Sequence, residues 1–383
     1  MSQITEGCLG ASLSGNKMSA FLEQFFMSNL EREESDGSRP TPVCIWGTHG
    51  IGKTEIALNF ARQRGWKVAY CAPAQFEEMG DLHGMPFKID PDPNVHGDER
   101  TVYMPPDWVP KDEGPGLLIL DDINRADDRI LRGVMQLLQH FEMFSWSIPK
   151  KWQIIATANP DNGAYSVTPM DDAMLTRMMH VSMAFDAKAW AAWALEAGID
   201  RRGVDFVLTY PETVTGKRTT PRTLTQFFKQ IAPIKDLRAS IDHVSVLASS
   251  ALDIETATAF QAFIEESLAS LPSTQDILSA KKPEDFLKNL SALSKPGEAK
   301  RVDLLSTIST RITIELGRKN AEIPKAASAN LVALLLSDAL PGDLRFSLHR
   351  DLSGLVTAPV PGAKTAEAVC KNVDVAKLIL KSI

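Results

Sequence analysis

Eight residues, Gly47-Thr48-His49-Gly50-Ile51-Gly52-Lys53-Thr54, fit the spacing G-x-x-x-x-G-K-[ST]. Glycines at such positions let the backbone curl, so that successive N–H groups face phosphate oxygens. A helix opening directly afterwards adds the favourable end of its dipole. Lys53 then reaches the outer phosphates of a nucleoside triphosphate, and Thr54 offers its hydroxyl to Mg²⁺. The apolar run Val43–Trp46 precedes the octet and a helical pattern over Glu55–Arg64 follows it, which is the context the motif requires. His49 reads as a variable loop residue and not as a catalyst.

Three further groups have types and positions that suit phosphoryl transfer. Leu117-Leu118-Ile119-Leu120-Asp121-Asp122 is an apolar strand ending in two acids. Asp121 is placed to hold the metal, usually through water, and Asp122 to polarise an attacking water. Gln153–Asn159 is a second apolar strand, ending in an amide that can orient that water. Standing alone, Asn159 would read as the start of the turn Asn159-Pro160-Asp161. Arg177 ends the segment Met170–Arg177, where it is either a surface charge or an arginine finger presented to a neighbour's phosphate. Arg222 opens a helix, where a cation opposes the dipole, so an anionic partner suits it. Arg218 is a weaker candidate. Asn124-Arg125, just after the acids, is either a subunit contact or a solvated loop.

These residues need a scaffold, and the pattern supplies one. Strand-length apolar runs at Val43–Trp46, Val68–Cys71, Leu117–Leu120, Gln153–Ala158 and His180–Met183 alternate with helical periodicity, as in Ile130, Val134, Leu137, Leu138 and Phe141. Alternation of this kind predicts a mostly parallel sheet covered on both faces. An N-terminal helix is marked by Met18, Phe21, Leu22 and Phe25, with Glu31–Pro42 read as a polar loop. Two segments break the rhythm and read as inserted hairpins, 81–110 and 142–149. Beyond Phe185 the pattern is helical, with Trp190 and Trp193 assigned to a core. Thr220-Pro221 is a good N-cap and first-turn pair for a helix burying Leu224, Phe227, Phe228 and Ile231. Helices are also expected around Glu255–Leu268, Lys300–Leu316 and Ala326–Leu340, with Lys281–Lys300 a polar connection.

Composition narrows the function classes. The 383 residues are 44% apolar and 23% charged, near globular averages, with a net charge of −7. That sign disfavours generic nucleic-acid binding. The four cysteines are far apart and lack metal spacing, which suits reduced thiols in a cytoplasmic protein. No run is long enough to span a bilayer, and the start lacks a signal-peptide pattern.

Taken together, GTHGIGKT, LLILDDINRA, IIATANP, the MDDAMLTR segment and TTPRTL resemble the AAA+ ATPases. More narrowly they look like the MoxR branch, whose acid-pair strand usually reads close to LDEINRA. The inserted segments DLHGMP and MPPDWVP are similar to that branch too. The likeness covers roughly residues 40–230, with a weaker match at Leu340–Arg345. With the helical pattern beyond Phe185, the chain is expected to divide into an α/β P-loop core over 1–184, an all-helical lid over 185–270 and a C-terminal helical region over 271–383. Beyond about residue 270 the likeness ends, apart from that weaker match. The resemblance itself carries roles. It makes Gly47–Thr54 the Walker A motif, Asp121-Asp122 Walker B, Asn159 sensor 1, Arg177 the arginine finger and Arg222 sensor 2. It also implies ATP and Mg²⁺, homo-hexameric rings, and remodelling of protein clients. A partner with a von Willebrand factor A domain, whose adhesion site binds carboxylates, is implied as well. Two positions depart from the branch, Asp122 for its Glu and Met178 for its Phe. Aspartate is one methylene shorter, which opens a reading as a slow, nucleotide-gated scaffold. A nucleic-acid motor is the other alternative, resting on the basic pairs Lys150-Lys151 and Arg201-Arg202.

Overall fold

Among the described residues ten strands form in the first half of the chain: β1 (Ala11–Leu13), β2 (Val43–Trp46), β3 (Lys67–Cys71), β4 (Met85–Ile89), β5 (Arg100–Met104), β6 (Gly116–Leu120), β7 (Glu142–Met143), β8 (Trp146–Ser147), β9 (Trp152–Ala158) and β10 (Met179–Met183). Six of them make one parallel sheet in the order β1-β10-β2-β9-β6-β3. The computed structural model describes residues 7–90, 99–161, 166–214, 217–266, 271–291, 293 and 301–380. They fall into two units, Met1–Asp186 and Ala187–Ile383.

The central strands β2, β6 and β9 are buried along their whole length, as expected where helices cover both faces of a parallel sheet. Successive side chains take opposite faces. Leu117 and Ile119 of β6 join Met18, Leu22 and Phe26 of α1 (Gly15–Asp36) and Phe60 of α2 (Lys53–Arg64). Leu118 and Leu120 face the other way, onto Leu82 of α3 (Met79–His83) and Ile130, Val134 and Leu137 of α4 (Asp128–His140). Strand β3 lies at an edge, which explains why its Val68 and Tyr70 remain exposed.

Two local expectations change. Helix α1 runs to Asp36, through half of the expected polar loop, because Glu31, Arg32, Glu33 and Glu34 are good helix formers. Gly37 (φ 75°) ends it, donating its N–H to the Glu33 carbonyl. The three-residue β1 was not expected; it has too few residues to show a period. The inserted segments form two antiparallel hairpins, β4–β5 and β7–β8. Residues 91–98, within the first, lie outside the described residues. His83, Tyr103 and Phe144 pack ring against ring across the two hairpins, at centroid distances of 4.7–4.9 Å.

In the second unit the helices are α6 (Ala187–Glu196), α7 (Arg201–Thr209), α8 (Pro221–Ile231), α9 (Ile241–Ala251), α10 (Ile254–Glu266), α11 (Thr274–Leu278), α12 (Pro283–Ser291), α13 (Val302–Gly317), α14 (Ala327–Leu336), α15 (Gly342–Leu355), α16 (Ala363–Cys370) and α17 (Val373–Leu380), with α5 (Asp172–Leu175) closing the series in the first. Thr220 caps α8 by accepting from the Thr223 N–H, and Leu224, Phe227, Phe228 and Ile231 are buried as the spacing predicts. Trp190 is buried against Phe228, whereas Trp193 is 37% exposed and is not a core residue. Three residues on, it has rotated to the edge of the buried stripe. Residues 283–291, read as part of a polar connection, are α12 and bury Phe286 and Leu290. Their spacing of four is helical, but it is too short a signal among many charges. Residues 292 and 294–300 lie outside the described residues. A polar seam joins α7 to α13: the Thr209 and Thr307 hydroxyls are 3.0 Å apart, and Arg311 Nε lies 3.3 Å from Asp205 Oδ1. Among the described residues no helix is long and apolar enough to cross a membrane. All four cysteines are free thiols.

Candidate nucleotide site

The carboxyl ends of β2, β6 and β9 converge, because the register sets Trp46 opposite Ala158 and Leu120 opposite Ala156. The candidate residues therefore leave the sheet side by side, at the edge where open α/β sheets bind ligands. After Trp46 the chain turns through Gly47–Gly52. Gly50 (φ 69°) and Gly52 (φ 108°) take left-handed conformations that strain any L side chain. Gly52 directly precedes α2, so the loop ends on a helix N-terminus. Lys53 is buried at 6% exposure, and its ammonium donates to the Gly47 carbonyl (2.8 Å), the Thr48 carbonyl (3.2 Å) and Asn159 Oδ1 (3.0 Å). Burial pulls its pKa below the usual amine range, with Asp122 and Asp121 opposing. An anion placed at this ammonium would oppose the burial further.

Asp121 sits where three donors meet. Its Oδ1 accepts from Thr54 Oγ1 and from Thr157 Oγ1, each at 2.7 Å, and its Oδ2 accepts from the Tyr70 hydroxyl at 2.9 Å. Burial, reinforced by that hydrogen bond, pushes the Tyr70 phenol up to about 12, so it stays a donor. Asp122 occupies the left-handed region (φ 48°), which aspartate tolerates better than most residues. Its N–H donates to Thr157 Oγ1 at 2.8 Å, and its Oδ1 accepts from Asn159 Nδ2 at 2.9 Å. Arg125 lies 3.8 Å from its other oxygen. One amide, Asn159, thus touches both the lysine and the second acid.

The residues fit a nucleotide with magnesium. Among the described residues there is no group of three or more His, Cys, Asp or Glu side chains able to hold a metal by themselves. What exists is one hydroxyl and one carboxylate in direct contact, a hard-oxygen pair. Mg²⁺ is commonly held this way, by one or two protein oxygens with phosphates and waters completing the shell.

Arg177 stands apart from this cluster. Its guanidinium donates to Gln139 Oε1 on α4 (2.9 Å) and to the Ala173 carbonyl. It precedes Met179, which pairs with Val43 at the opposite, amino-terminal end of β2. By strand rise the separation from the loop is about 15 Å, further than an arginine side chain reaches. Arg222 lies in the first turn of α8, in the second unit, and Arg218 donates to the Ser250 carbonyl there. His49 lies within the loop and carries no resolved role.

Three contributors escaped the sequence reading. Thr157 bridges the two acids, and Tyr70 holds the free oxygen of the first. Asn124 is 2% exposed and bonded to the backbone of Asn159, so it is neither a solvated loop residue nor available to a neighbour. The alternation along Gln153–Asn159 placed Thr157 on the same face as Asn159 and was the available signal; an aromatic on an edge strand gives none.

Residues 42–178 match the family model described as AAA domain, dynein-related subfamily. The core has the AAA+ P-loop NTPase fold. Nucleotide hydrolysis is the general chemistry of AAA+ domains, and rings are their common assembly. Among solved structures the chain is similar to Thermotoga maritima RuvB. A proline-to-glycine variant aligns with a TM-score of 0.38 and 14% identity over 73% of this chain and 83% of that one. The protein described as a Holliday junction branch migration motor aligns at 0.36 and 13%, over 71% and 75%. Scores this low carry no argument about function. No curated protein matches the chain.

Proposed function

We propose that this chain is an ATPase of the MoxR-like branch of AAA+ proteins, working as a ring of identical subunits on protein clients. The observation that carries the reading is the contact of Thr54 with Asp121, 67 residues apart, beside a lysine buried under the glycine loop. In this reading the loop amides and Lys53 bind the triphosphate, and Arg222 is the sensor 2 that the resemblance implies. Thr54 and Asp121 would hold Mg²⁺, which supplies charge neutralisation at the phosphates. Thr157 and Tyr70 keep the Asp121 carboxylate in place. Asn159 and Asp122 orient and polarise the attacking water, and no covalent intermediate is needed. Arg177 faces away from its own loop, so it acts on the neighbour's nucleotide. The two hairpins, with Met85, Phe87, Met104 and Phe144 exposed on them, pass the motion to the client. The resemblance adds a carboxylate-binding von Willebrand factor A partner.

A slow, nucleotide-gated scaffold is the second reading. It is favoured by the short Asp122 side chain and by its engagement with the Asn159 amide. A nucleic-acid motor is favoured less. Arg202 is committed to Asp200 and to the Ile231, Ile234 and Lys235 carbonyls, Arg201 to Thr274, and Lys151 lies near Glu34 and Glu113.

Mixing subunits tests the shared site. Lys53→Ala and Arg177→Ala should each be inactive alone, the second by about 10³-fold or more. Mixed rings should regain turnover, because some interfaces pair an intact loop with an intact arginine. Wild-type turnover in both single variants would refute the assignment, and no recovery on mixing would refute the role across subunits.

A further inference from the structure

We infer that Asn124 is a positioning residue for the reaction, setting the amide of Asn159 between Lys53 and Asp122; the inference rests on the ATPase reading above.

Strand β9 stops at Ala158, and its last ladder partner on β6 is Leu120, opposite Ala156. The backbone of Asn159 therefore emerges without a strand to pair with, yet it is 1% exposed. Its N–H and C=O need partners in a place water does not reach. Asn124 supplies both. Its Oδ1 accepts from the Asn159 N–H at 3.0 Å, and its Nδ2 donates to the Asn159 carbonyl at 2.8 Å. A side-chain amide here replaces the missing ladder rung, because Asn and Gln carry a donor beside an acceptor without a charge.

The placement links three elements. Asn124 sits in the tight turn Ile123–Arg125, directly after the left-handed Asp122. Its own carbonyl accepts from the Thr168 N–H at 2.8 Å, and the Ala126 carbonyl accepts from the Thr168 hydroxyl at 2.7 Å. One residue thus fixes the turn carrying the second acid to the end of the strand carrying the water-orienting amide. Once the Asn159 backbone is fixed from both sides, its side chain is directed into the gap where Nδ2 meets Asp122 and Oδ1 meets Lys53. The Asn124 side chain bonds the Asn159 backbone and reaches the lysine and the acid through that residue's amide.

The experiment is a double-mutant cycle on the full chain, with kcat measured for ATP and nucleotide affinity measured separately with a fluorescent ATP analogue. Asn124→Ala should lower kcat by about 100-fold, the scale of misplacing a reacting group by about 1 Å, while affinity stays within about threefold. In an Asn159→Ala background the same change should remove nothing further. Asn124→Gln keeps both the donor and the acceptor on a stem one methylene longer, so its kcat should fall between wild type and Asn124→Ala; it also carries the comparison if the alanine variant does not fold. Losses that multiply in the double variant would overturn the inference, as would normal turnover in Asn124→Ala beside an impaired Asn159→Ala. Equal turnover in wild type, Asn159→Ala and Asn124→Ala would overturn the site reading and the inference with it.

Discussion

Two buried polar clusters, one in each unit, solve the same problem differently. Around Lys53 three acceptors meet the three ammonium hydrogens, and Asp121 receives three donors. In the seam between α7 and α13, Arg311 and Asp205 approach to 3.3 Å without the alignment of a hydrogen bond, and Asp205 Oδ1, Arg311 Nε and Arg311 Nη1 have no hydrogen-bond partner among the described residues. Burial pushes Asp205 up to about 6 against the attraction of Arg311, and it pulls Arg311 down. The first cluster borders a cleft lined by Tyr70, Gln75, Asp121, Asp122 and Arg125, so its partners can be exchanged for a ligand. The second is enclosed and has nothing to exchange. Satisfied polar groups beside an opening mark a place for chemistry; unsatisfied ones in a closed seam mark a structural joint that opposes its own burial.

The contrast breaks most sharply if the seam is cut. Arg311→Met alone leaves Asp205 buried without its cation and should destabilise the second unit by about 3–5 kcal/mol. The double variant Asp205→Leu, Arg311→Met should recover that loss or exceed wild type, and urea melts of all three would show it. A double variant as weak as the single one would mean the pair is needed for more than charge balance. In the first cluster, Asp122→Glu lengthens the acid by one methylene. If geometry limits the attack, turnover should rise by up to about 100-fold with nucleotide affinity unchanged. Unaltered turnover would show that Asp122 already reaches its water.

The smallest effect is in pH. The folded pKa of Asp205, about 6, lies above its ordinary value of 3.8. The stability it contributes is therefore present below about 4 and is lost as pH rises through 6. Relative to Asp205→Asn, wild type should gain about 1 kcal/mol on going from pH 7 to pH 5. Parallel pH profiles for the two proteins would contradict the raised value.

How far the sequence could be read follows from how each feature is encoded. The sheet and the loop were legible because they rest on contiguous patterns: apolar strand, glycines, lysine, helix. The helix at Pro221 was legible because its cap and its buried face both lie within the short stretch Thr220–Ile231. The bracket of Asn124 on Asn159 was not, since it joins positions 35 residues apart through the end of a strand. Trp193 misled because helical spacing gives a stripe without its edges, and α12 was missed because two buried residues among lysines and acids leave little period. The same holds at the start of α7: Arg201 and Arg202 read as a basic pair, while their commitments to Thr274 and to carbonyls some thirty residues away depend on helix packing.

The central claim is that the loop over Gly47–Thr54 grips a triphosphate with a metal shared by Thr54 and Asp121. Calorimetric titration of the purified chain with a non-hydrolysable ATP analogue, with and without Mg²⁺, measures this directly. The account predicts saturable binding that is much tighter with the metal and is lost in Lys53→Ala. Identical heats with and without Mg²⁺, or full binding by Lys53→Ala, would contradict it.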